Sequence, residues 1–315
     1  MTLPMVDIII VNWNSGDYLY DCLSSITKSD RTCYLLDKVI VIDNASNDNS
    51  LAGIKKLALP IKIIANDVNM GFAYACNQGA KQGDSDYLLF LNPDTQLYQN
   101  SLNNAIAFME EEQSKAKFHI MGIQLIDDDN NISRSCARFP KPSHFVNKIL
   151  GLNMLFPKIF KSYTMTDWDH SYSREVDQVI GAFFLVRRSL FNQLGGFDER
   201  FFVYYEEVDF SLRAKKLNRY SYYSVDVKAY HAGGGTTSQV KSTRLFYSIR
   251  SRLLYCKKHF SFISFLIVLL ITIVFEPISR MLLCILRQSC KEVFEVISAY
   301  LLLWRFIPSL LINRM

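Results

Sequence analysis

The chain has 315 residues, of which 50% are hydrophobic and 21% are charged, with 35 Lys+Arg against 30 Asp+Glu. A disordered chain is less apolar, and a collagen-like chain carries far more than 13 Gly and 8 Pro, so both classes are excluded.

The charge is unevenly distributed. Residues 241–315 hold 11 Lys+Arg and 3 Asp+Glu, which leaves 24 and 27 for residues 1–240. A nucleic-acid-binding protein spreads basic side chains over a folded face, so we expect no nucleic-acid partner. The distribution predicts a globular domain over residues 1–240 and a basic, apolar region over residues 241–315 that associates with an anionic, apolar partner.

The seven cysteines are scattered, and no two of them have C-x-x-C spacing. Neither a zinc site nor a redox motif is indicated, and we expect reduced, buried thiols in a cytosolic protein. The N-terminus lacks a basic segment, and the apolar run at residues 6–11 is short and contains Asp7. This run predicts a first strand rather than a signal peptide.

Strand and helix signals alternate over the first hundred residues. Short runs rich in Ile, Val and Leu predict strands at residues 6–11, 39–42, 61–65 and 87–91. Helical spacing of apolar residues predicts helices at residues 18–26, 50–59 and 72–81. This order predicts an α/β fold with an open, mainly parallel, doubly wound sheet. Ligands of such sheets bind beyond the carboxyl ends of the strands, so we expect the site there.

The pattern loosens after a helix predicted over residues 102–112. Residues 127–173 contain an acidic run, several prolines and many aromatics, and they predict loops with short elements. An apolar, strand-like run at residues 176–186 is interrupted by Gly181, and a further helix is predicted over residues 208–217.

Polar residues directly follow the first two strands. Asn12 and Asn14 follow the first, and Asp43, Asn44 and Ser46 follow the second. An acid at a strand tip can accept hydrogen bonds from a base or a ribose, as in dinucleotide-binding folds. The alternative is that Asp43 or Ser46 caps the next helix.

Gly71 and Phe72 stand where a loop meets a predicted helix, with Asn77 further along that helix. A glycine there permits close approach of the backbone, and amides at a helix N-terminus suit phosphate. A plain turn is the alternative.

The fourth strand runs directly into Asn92-Pro93-Asp94. Oxygen ligands two residues apart at a strand tip can hold Mg²⁺ or Mn²⁺, which would bridge a nucleotide diphosphate. The alternative is an Asx turn stiffened by Pro93. His231, which precedes a glycine run at residues 233–235, is a further candidate ligand, although a lone histidine is more often structural.

Three carboxylates, Glu206, Glu207 and Asp209, fall at the start of a predicted helix, after the aromatic run at residues 201–205. They repel one another, and the helix dipole offsets part of that cost, so a solvated first turn is one interpretation. The aromatic surroundings favour another, in which a carboxyl with a raised pKa acts as a general base near neutral pH.

The order of these pieces resembles the family-two, GT-A-type glycosyltransferases over roughly residues 5–240. The matching segments are Ile10-Val11-Asn12-Trp13-Asn14, Val41-Ile42-Asp43-Asn44-Ala45-Ser46, Asn69-Met70-Gly71-Phe72-Ala73, Leu91-Asn92-Pro93-Asp94, Gly181-Ala182-Phe183, Gly196-Phe197-Asp198-Glu199, Tyr205-Glu206-Glu207-Val208-Asp209 and His231. Within the family the chain looks most like the bacterial rhamnosyltransferase-like branch, which builds O-antigen and other cell-surface polysaccharides.

The resemblance implies a GT-A nucleotide-diphospho-sugar transferase fold, with Asp43 on the nucleotide base and Asp94 on a divalent cation, Mg²⁺ or Mn²⁺. Asn92 replaces the first acid of the family's usual Asp-x-Asp motif, which removes one charge. Glu206-Glu207 replace the usual Glu-Asp, so the general base maps to Glu207, with Glu206 as the second candidate. The remaining candidates are Asn12, Asn14, Asn44, Ser46, Gly71, Phe72, Asn77 and Asn92 on the donor side, Gly181, Ala182 and Asp209 on the acceptor side, and His231 at the metal.

The implied reaction is inverting transfer of a sugar, a deoxyhexose such as rhamnose, from a nucleotide-diphosphate donor to a polyprenyl-diphosphate-linked glycan. Two alternatives are weaker. A nucleotidyltransferase acting on sugar phosphates commonly has a basic, glycine-rich loop after its first strand, whereas residues 12–16 contain no Lys or Arg. A non-catalytic sugar-nucleotide-binding module would leave the acids at residues 206–209 without a purpose.

Six basic residues and no acid lie between Lys241 and Lys258, before 16 uncharged residues at 260–275. Spanning a bilayer takes roughly 17–25 apolar residues, and Pro277 closes the run; the second stretch, residues 293–312, contains two charged residues and a proline. We therefore expect helices that lie in or dip into the cytoplasmic leaflet of the plasma membrane, on anionic lipids. A hairpin of two short spans, and a soluble helical subdomain or oligomer interface, are the alternatives.

Overall fold

The computed structural model describes residues 2–233 and 241–312, without the side chains of residues 112 and 113. The strands in these residues are β1 (Met5–Asn12), β2 (Leu35–Asp43), β3 (Ile61–Ala65), β4 (Tyr87–Leu91), β5 (Thr95–Leu97), β6 (Phe118–Ile126), β7 (Ile132–Ser133), β8 (Cys136–Ala137), β9 (Arg174–Val176), β10 (Gln178–Val179), β11 (Phe183–Arg187) and β12 (Tyr220–His231). The helices are α1 (Tyr18–Thr27), α2 (Phe72–Ala80), α3 (Ser101–Glu110), α4 (Glu112–Lys117), α5 (Pro142–Ile149), α6 (Leu152–Leu155), α7 (Arg188–Gln193), α8 (Glu206–Lys216), α9 (Lys241–His259), α10 (Phe262–Leu270), α11 (Glu276–Leu286) and α12 (Cys290–Ile312).

The chain divides into two compact units. The first comprises Met1–Phe139, Trp168–Glu199 and Glu206–Thr236, and the second comprises Pro140–Asp167, Arg200–Tyr205 and Thr237–Met315.

The first unit is built on a mixed sheet with strand order β3-β2-β1-β4-β11-β6-β12-β5. The strands β3, β2, β1 and β4 are mutually parallel, β11 runs antiparallel to both β4 and β6, and β12 is parallel to β6. The four strands predicted in the first hundred residues are confirmed. The carboxyl ends of β1, β2 and β4 therefore lie at one edge of the parallel half, where the polar motifs follow.

The central strands of the parallel half, β1 and β4, are apolar because they are buried on both faces. All five residues of β4 are buried, as are the last seven of β1. One face packs against a core that includes Leu19 and Leu23 of α1. Such double burial explains why these strands are continuous apolar runs without alternation.

The helix predicted over residues 50–59 is wrong. Only one 3₁₀ turn, Ile54–Lys56, forms there, and Gly53 before it has a left-handed φ of 77°. A left-handed residue cannot continue an α-helix, so the apolar spacing of this segment reflects packing of single side chains such as Ile54 onto the core.

Two other predicted elements are subdivided. The helix predicted over residues 102–112 ends at Glu110, because Glu111 has an extended conformation (ψ 137°) that separates α3 from α4. The apolar run at residues 176–186 contributes to three strands, β9, β10 and β11. Residues 127–173 contain only short elements, as predicted, and α8 begins two residues before its predicted start.

All seven cysteines are free, and five are buried. Cys33 is half-buried and Cys290 is exposed, so burial holds for most of the thiols and fails for these two.

The second unit contains two helical runs that are long and apolar enough to cross a membrane by length and composition, Phe262–Leu286 and Cys290–Ile312. The prediction that the first run closes at Pro277 is wrong, since it extends to 25 residues. Pro277 occupies the first turn of α11, directly after a π-helical turn at Ile271–Phe275. The wider π turn accommodates the missing N–H and the ring of the proline, so the helix continues.

Helix α9 holds the helices of the second unit together through the contacts of its side chains. Arg252 of α9 is buried, and its guanidinium donates to Glu276 of α11 and to Thr272 (3.2 Å). The ring of Phe145, which is 1% exposed, lies 5.7 Å from the same guanidinium and 6.2 Å from the ring of Phe260. Phe145 thereby anchors α5 to the C-terminal helices.

Candidate active site

The tips of β1 and β2 are joined by the buried side chain of Asn12. Its Nδ2 donates to Asp43 Oδ1 (2.7 Å) and to Ser46 Oγ (3.1 Å). It also donates to Ser50 Oγ (2.8 Å), and the Ser15 hydroxyl donates to Asn12 Oδ1. Within the described part of the chain, Asp43 Oδ2 receives one long bond, from the Ser46 N–H (3.3 Å), so it retains acceptor capacity for a ligand.

The helical element described between β2 and β3 is the 3₁₀ turn Ile54–Lys56, and the residue before it is Gly53, so the capping alternative for Asp43 and Ser46 does not apply. The loop after β1 is instead fixed to the loop after β2. Asn14, which has a left-handed φ of 50°, donates its N–H to Ser46 Oγ (3.0 Å) and accepts at Oδ1 from the Asn47 N–H (2.7 Å). Short polar side chains are the ones that tolerate this backbone conformation.

Asn44 connects β2 to the start of α2. Its side-chain amide donates to the Gly71 carbonyl (3.2 Å), and its Oδ1 accepts from Asn66 Nδ2 (2.9 Å). Gly71 has φ 87° and directly precedes α2, so a side chain there would be strained. Phe72 follows as the first residue of α2.

The acceptor-side candidates lie beside the tip of β4. A Cβ added to Gly181 would lie 3.6 Å from the ring of Phe72, which brings the donor and acceptor candidates into contact. The Ala182 carbonyl accepts from the Asn92 N–H (3.1 Å) and from Thr95 Oγ1 (3.2 Å). The segment before β11 is thus fastened to the segment after β4.

Asp94 and His231, the two candidate metal ligands, are brought together by strand pairing. The register of β12 against β5 places His231 opposite Thr95, and His231 Nε2 lies 3.3 Å from Asp94 Oδ1. Asn92 closes the intervening turn with its backbone carbonyl, which accepts from the Thr95 N–H (3.1 Å). The end of the glycine run, Gly234 and Gly235, lies outside the described residues.

The two side chains at this position, Asp94 and His231, suit a cation that is bound partly by the protein and partly by the substrate. Among the described residues no group of three His, Cys, Asp or Glu side chains converges on one point. One carboxylate and one imidazole leave most of the coordination sphere of Mg²⁺ or Mn²⁺ to phosphate oxygens and water, which is how Mg²⁺ commonly binds. The residues present fit such a cation.

Glu206 and Glu207 form the first turn of α8, after two tyrosines, Tyr204 and Tyr205, with left-handed φ angles of 69° and 73°. Burial, and next the neighbouring Glu207, raise the pKa of Glu206 well above its usual range. Burial also raises the pKa of Glu207, to about 7. The Oε2 atom of each carboxyl is buried without a hydrogen-bond partner among the described residues.

The pair lies beside α2. Burial, and then the negative charges of Glu206 and Glu207, raise the pKa of the Cys76 thiol. The two carboxyls therefore lie near the helix whose first residue, Phe72, contacts Gly181.

Asp209 has a partner that the sequence analysis missed. Its fully buried carboxylate accepts from Arg213 Nε (2.8 Å), one helical turn later. The other nitrogens of Arg213 donate to the carbonyls of Leu194 (2.7 Å) and Gly196 (2.8 Å). The i,i+4 spacing of Asp209 and Arg213 was the available signal. The ion pair fixes the start of α8 against the loop after α7.

Asn77 is held in a similar way. Its side chain donates to the Phe197 carbonyl (2.8 Å) and to Glu199 Oε1 (2.9 Å), and it accepts from the Phe197 N–H (2.9 Å). A Cβ added to Gly196 would lie 2.6 Å from Asn77 Oδ1, so the loop can approach α2 this closely only with a glycine at position 196. These bonds hold the 196–199 loop on α2, whereas the other donor-side candidates gather at the strand tips.

The model of glycosyl transferase family 2 matches residues 7–195, which is more than half of the chain. The chain belongs to this family. It is 30% identical over 237 residues to the rhamnosyltransferase WbbL of Escherichia coli (strain K12), and the match covers 72% of this chain and 82% of WbbL. It is 24% identical over 261 residues to the N-acetylglucosaminyl-diphospho-decaprenol L-rhamnosyltransferase of Mycobacterium tuberculosis (strain CDC 1551 / Oshkosh), with 76% of this chain and 80% of that protein covered.

The fold is also found among solved structures. The mannosyltransferase PcManGT of Pyrobaculum calidifontis, solved in complex with GDP-Man and Mn²⁺, matches with a TM-score of 0.55 over 100% of this chain and 77% of that one. At 14% identity this likeness shows the fold alone. The family-two glycosyltransferase is thus a GT-A protein of the rhamnosyltransferase-like branch. The predictions of fold class and of glycosyl transfer are confirmed, and the nucleotidyltransferase and binding-module alternatives are not favoured.

Proposed function

We propose that this glycosyltransferase transfers a deoxyhexose, L-rhamnose, with inversion from a nucleotide-diphosphate donor to a hydroxyl of a polyprenyl-diphosphate-linked glycan. The observation that carries the proposal is the gathering of three kinds of group at one edge of the sheet. These are an acceptor carboxylate at Asp43, the Asp94–His231 pair, and segment 181–182 in contact with Phe72. The names of the two rhamnosyltransferase relatives support the choice of sugar. The name of the second, an N-acetylglucosaminyl-diphospho-decaprenol L-rhamnosyltransferase, supports its L form and the class of acceptor.

The donor nucleotide would be read at the β1 and β2 tips. The free acceptor capacity of Asp43 Oδ2 suits an N–H of a base, and the network through Asn12 and Ser46 holds that carboxylate in place. The backbone around Asn14, Asn44 and Gly71 lines the same edge. A preorganised carboxylate needs no rearrangement when the base arrives.

A divalent cation, Mg²⁺ or Mn²⁺, would be held by Asp94 and His231 together with the donor diphosphate. When bound, it supplies positive charge that stabilises the leaving diphosphate. The Mn²⁺ in the PcManGT structure supports this assignment.

Glu207 would act as the general base. Its pKa of about 7 lets the carboxyl be deprotonated at neutral pH and still accept a proton, and its Oε2 is free of other bonds among the described residues. The acceptor O–H bond breaks toward Glu207, the oxygen bonds to the anomeric carbon, and the bond to the nucleoside diphosphate breaks on the opposite face. This sequence inverts the anomeric configuration.

The C-terminal helices would hold the enzyme on the cytoplasmic leaflet. Phe262–Leu286 and Cys290–Ile312 suit membrane association by length and composition. The Arg252–Glu276 ion pair, however, ties the middle of the first run to the basic helix α9. A spanning run would carry these charges toward the bilayer centre, at about 2.5–3.5 kcal/mol each. Helices lying in the interface, with α9 on anionic headgroups, avoid that cost.

The test is a reaction with defined substrates. Full-length protein in detergent with Mn²⁺ is incubated with dTDP-, UDP- and GDP-linked rhamnose and an N-acetylglucosaminyl-diphospho-polyprenol. We expect acceptor-dependent release of nucleoside diphosphate, and NMR of the product is expected to show an inverted anomeric centre. Release of pyrophosphate, or a retained configuration, would contradict the proposal.

A further inference from the structure

The second unit carries an exposed apolar patch outside its C-terminal helices. The insertion patch, as we call it, is formed by the segment that includes α6. Five large apolar side chains there are between 49% and 81% exposed, namely Leu150, Met154, Leu155, Phe156 and Ile159. Soluble surfaces expose apolar residues singly, so five within ten positions mark an interaction surface.

The charge around the patch is mainly positive, and Asp167, which lies 3.5 Å from Lys161, is the acid at the end of the segment. Residues 140–166 contain four lysines and no aspartate or glutamate. All four, Lys141, Lys148, Lys158 and Lys161, are exposed. Apolar side chains flanked by lysines are the composition of segments that lie at an anionic membrane interface. A protein partner would instead favour a patch with few lysines.

The patch belongs to the same compact unit as the apolar C-terminal helices. Within that unit, α5 packs on α10 and on the π-helical turn, with Phe145 as its anchor. Gly151 then turns the chain in a left-handed conformation (φ 72°), and α6 follows with its apolar side chains outward. The insertion is therefore fixed, through α5, to the helices proposed to lie in the membrane.

We infer that the insertion patch is a second membrane contact, which inserts Met154, Leu155, Phe156 and Ile159 among the acyl chains of an anionic bilayer. The inference rests on the proposed membrane association of residues 241–312. It adds that the membrane-facing surface is composite, since it is built from an insertion in the middle of the chain as well as from the tail. The lysines contact the headgroups around the inserted side chains.

The test uses an indole placed in the patch. Phe156→Trp is made in the full-length protein, which is bound to vesicles of phosphatidylcholine and phosphatidylglycerol with or without bromine on the acyl chains. The matched control is Leu35→Trp, because Leu35 is equally exposed (53% for both residues) but lies in the first unit. The native Trp304 of α12 is 51% exposed, and its fluorescence shows whether the C-terminal helices are in the bilayer. The emission of Trp304 is obtained as the difference between the wild type and Trp304→Phe.

We expect bromine to quench the emission added by Phe156→Trp as it quenches Trp304, and to leave the emission added by Leu35→Trp unchanged. Quenching of Trp304 without quenching at position 156 would overturn the inference and leave membrane association of the tail standing. Quenching at neither position would overturn both. A third outcome is that the indole at position 156 is not quenched and the protein is a dimer that Leu155→Ser dissociates. This outcome would show that a second copy of the chain covers the patch, and it also overturns the inference.

Discussion

At the scale of single residues, the chemistry that we propose depends on two carboxyls at the start of α8, those of Glu206 and Glu207. Burial raises the pKa of both, to about 7 for Glu207, and the proximity of Glu207 raises that of Glu206 further. In our proposal Glu207 takes the proton, because its pKa lies at neutral pH, and Glu206 is the neighbour that shares its buried surroundings.

Glu207→Gln is expected to keep donor binding and to lower kcat by about 10²–10⁴-fold, because the amide keeps the shape and cannot take a proton. Initial rates with saturating substrates and calorimetric binding of the nucleotide measure the two effects. Glu206→Gln is the matched control and should retain most of its activity. An inactive Glu206→Gln beside an active Glu207→Gln would exchange the two roles.

The pH dependence follows from the same group. Since the base must be ionised, kcat/KM should rise about tenfold per pH unit below the pKa of Glu207, about 7, and level off above it. The free energy of unfolding changes with pH in the opposite direction to kcat/KM. The folded pKa lies above the usual 4.5, so the fold binds the proton more tightly than the unfolded chain does, and unfolding free energy falls as pH rises from 4.5 to 7. Glu207→Gln should therefore raise Tm at pH 8 and leave it unchanged at pH 4.

Asp94 binds a cation in our proposal, and its removal should act through the metal. Asp94→Ala is expected to abolish Mn²⁺-dependent binding of the nucleotide, measured by calorimetry with and without Mn²⁺, and to leave Tm without metal near that of the wild type. Asp37→Ala, at a surface carboxylate paired with Lys38, is the control. Normal Mn²⁺-dependent binding by a folded Asp94→Ala protein would exclude this carboxylate as a ligand.

At the scale of elements, the Asp209–Arg213 pair decides how α8 is placed. Arg213→Met leaves the carboxylate of Asp209, which is 0% exposed, without its cation, and it frees two loop carbonyls. Loss of one partner of a buried pair costs about 3–5 kcal/mol. Urea denaturation should show that loss for Arg213→Met and almost none for Lys215→Met, whose partner Asp177 is on the surface. Equal losses of unfolding free energy in Arg213→Met and Lys215→Met would show that the Asp209–Arg213 pair does not hold α8 in place.

Local elements were predictable where the local signal is strong. The strands at residues 61–65 and 87–91 have the predicted bounds, because both are short, mostly apolar runs bounded by polar or turn-forming residues. Only β4 is buried throughout, whereas the edge strand β3 is partly exposed. The false helix at residues 50–59 shows the limit of periodicity. Leu51 and Ile54 have helical spacing, yet the left-handed Gly53 between them breaks the element. Apolar spacing records which side chains are buried, and it does not record the backbone between them.

In the candidate site, too, some features were predictable from the sequence and others were not. The position of the strand-tip residues was predictable because parallel strands bring their carboxyl ends to one edge. The pairing of β12 with β5 also places His231 Nε2 3.3 Å from Asp94 Oδ1, while the roles of these residues stay a prediction. The partners of Asn77 and Arg213 were not predictable, since backbone carbonyls of distant loops leave no trace in residue types. Nor does the sequence show that residues 140–167 group with the C-terminal helices, because that packing depends on contacts such as Phe145 with Phe260.

At the scale of the whole molecule, the position of the exposed Cys290 decides between helices in the interface and a hairpin of spans. Cys290 begins α12, next to the turn between the two apolar runs. In a spanning hairpin that turn crosses to the outer side, whereas in our proposal it stays inside. A membrane-impermeant maleimide should therefore label Cys290 in opened cells and not in intact ones, with Cys290→Ser as the control. Labelling in intact cells would establish the hairpin.

Membrane attachment should also resist salt. Apolar insertion is not screened by ions, so washing membranes in 1 M salt, where the Debye length is about 3 Å, is expected to leave the full-length protein in the pellet. Detergent should release it. Complete release by salt would reduce the attachment to electrostatic docking alone.

The late strand β12 gives the molecule an order of assembly. The network that joins Asn12 to Asp43 and Gly71 is encoded within the first quarter of the chain, whereas Asp94 meets His231 only after β12 has paired with β5 and β6. A ribosome therefore produces the residues proposed to recognise the nucleotide early and completes the proposed cation pair late. Until β12 arrives, β6 and β5 present unpaired edges to other nascent chains. In our proposal, a chain whose synthesis stalls before residue 231 would hold the residues that recognise the base but would lack half of the cation pair.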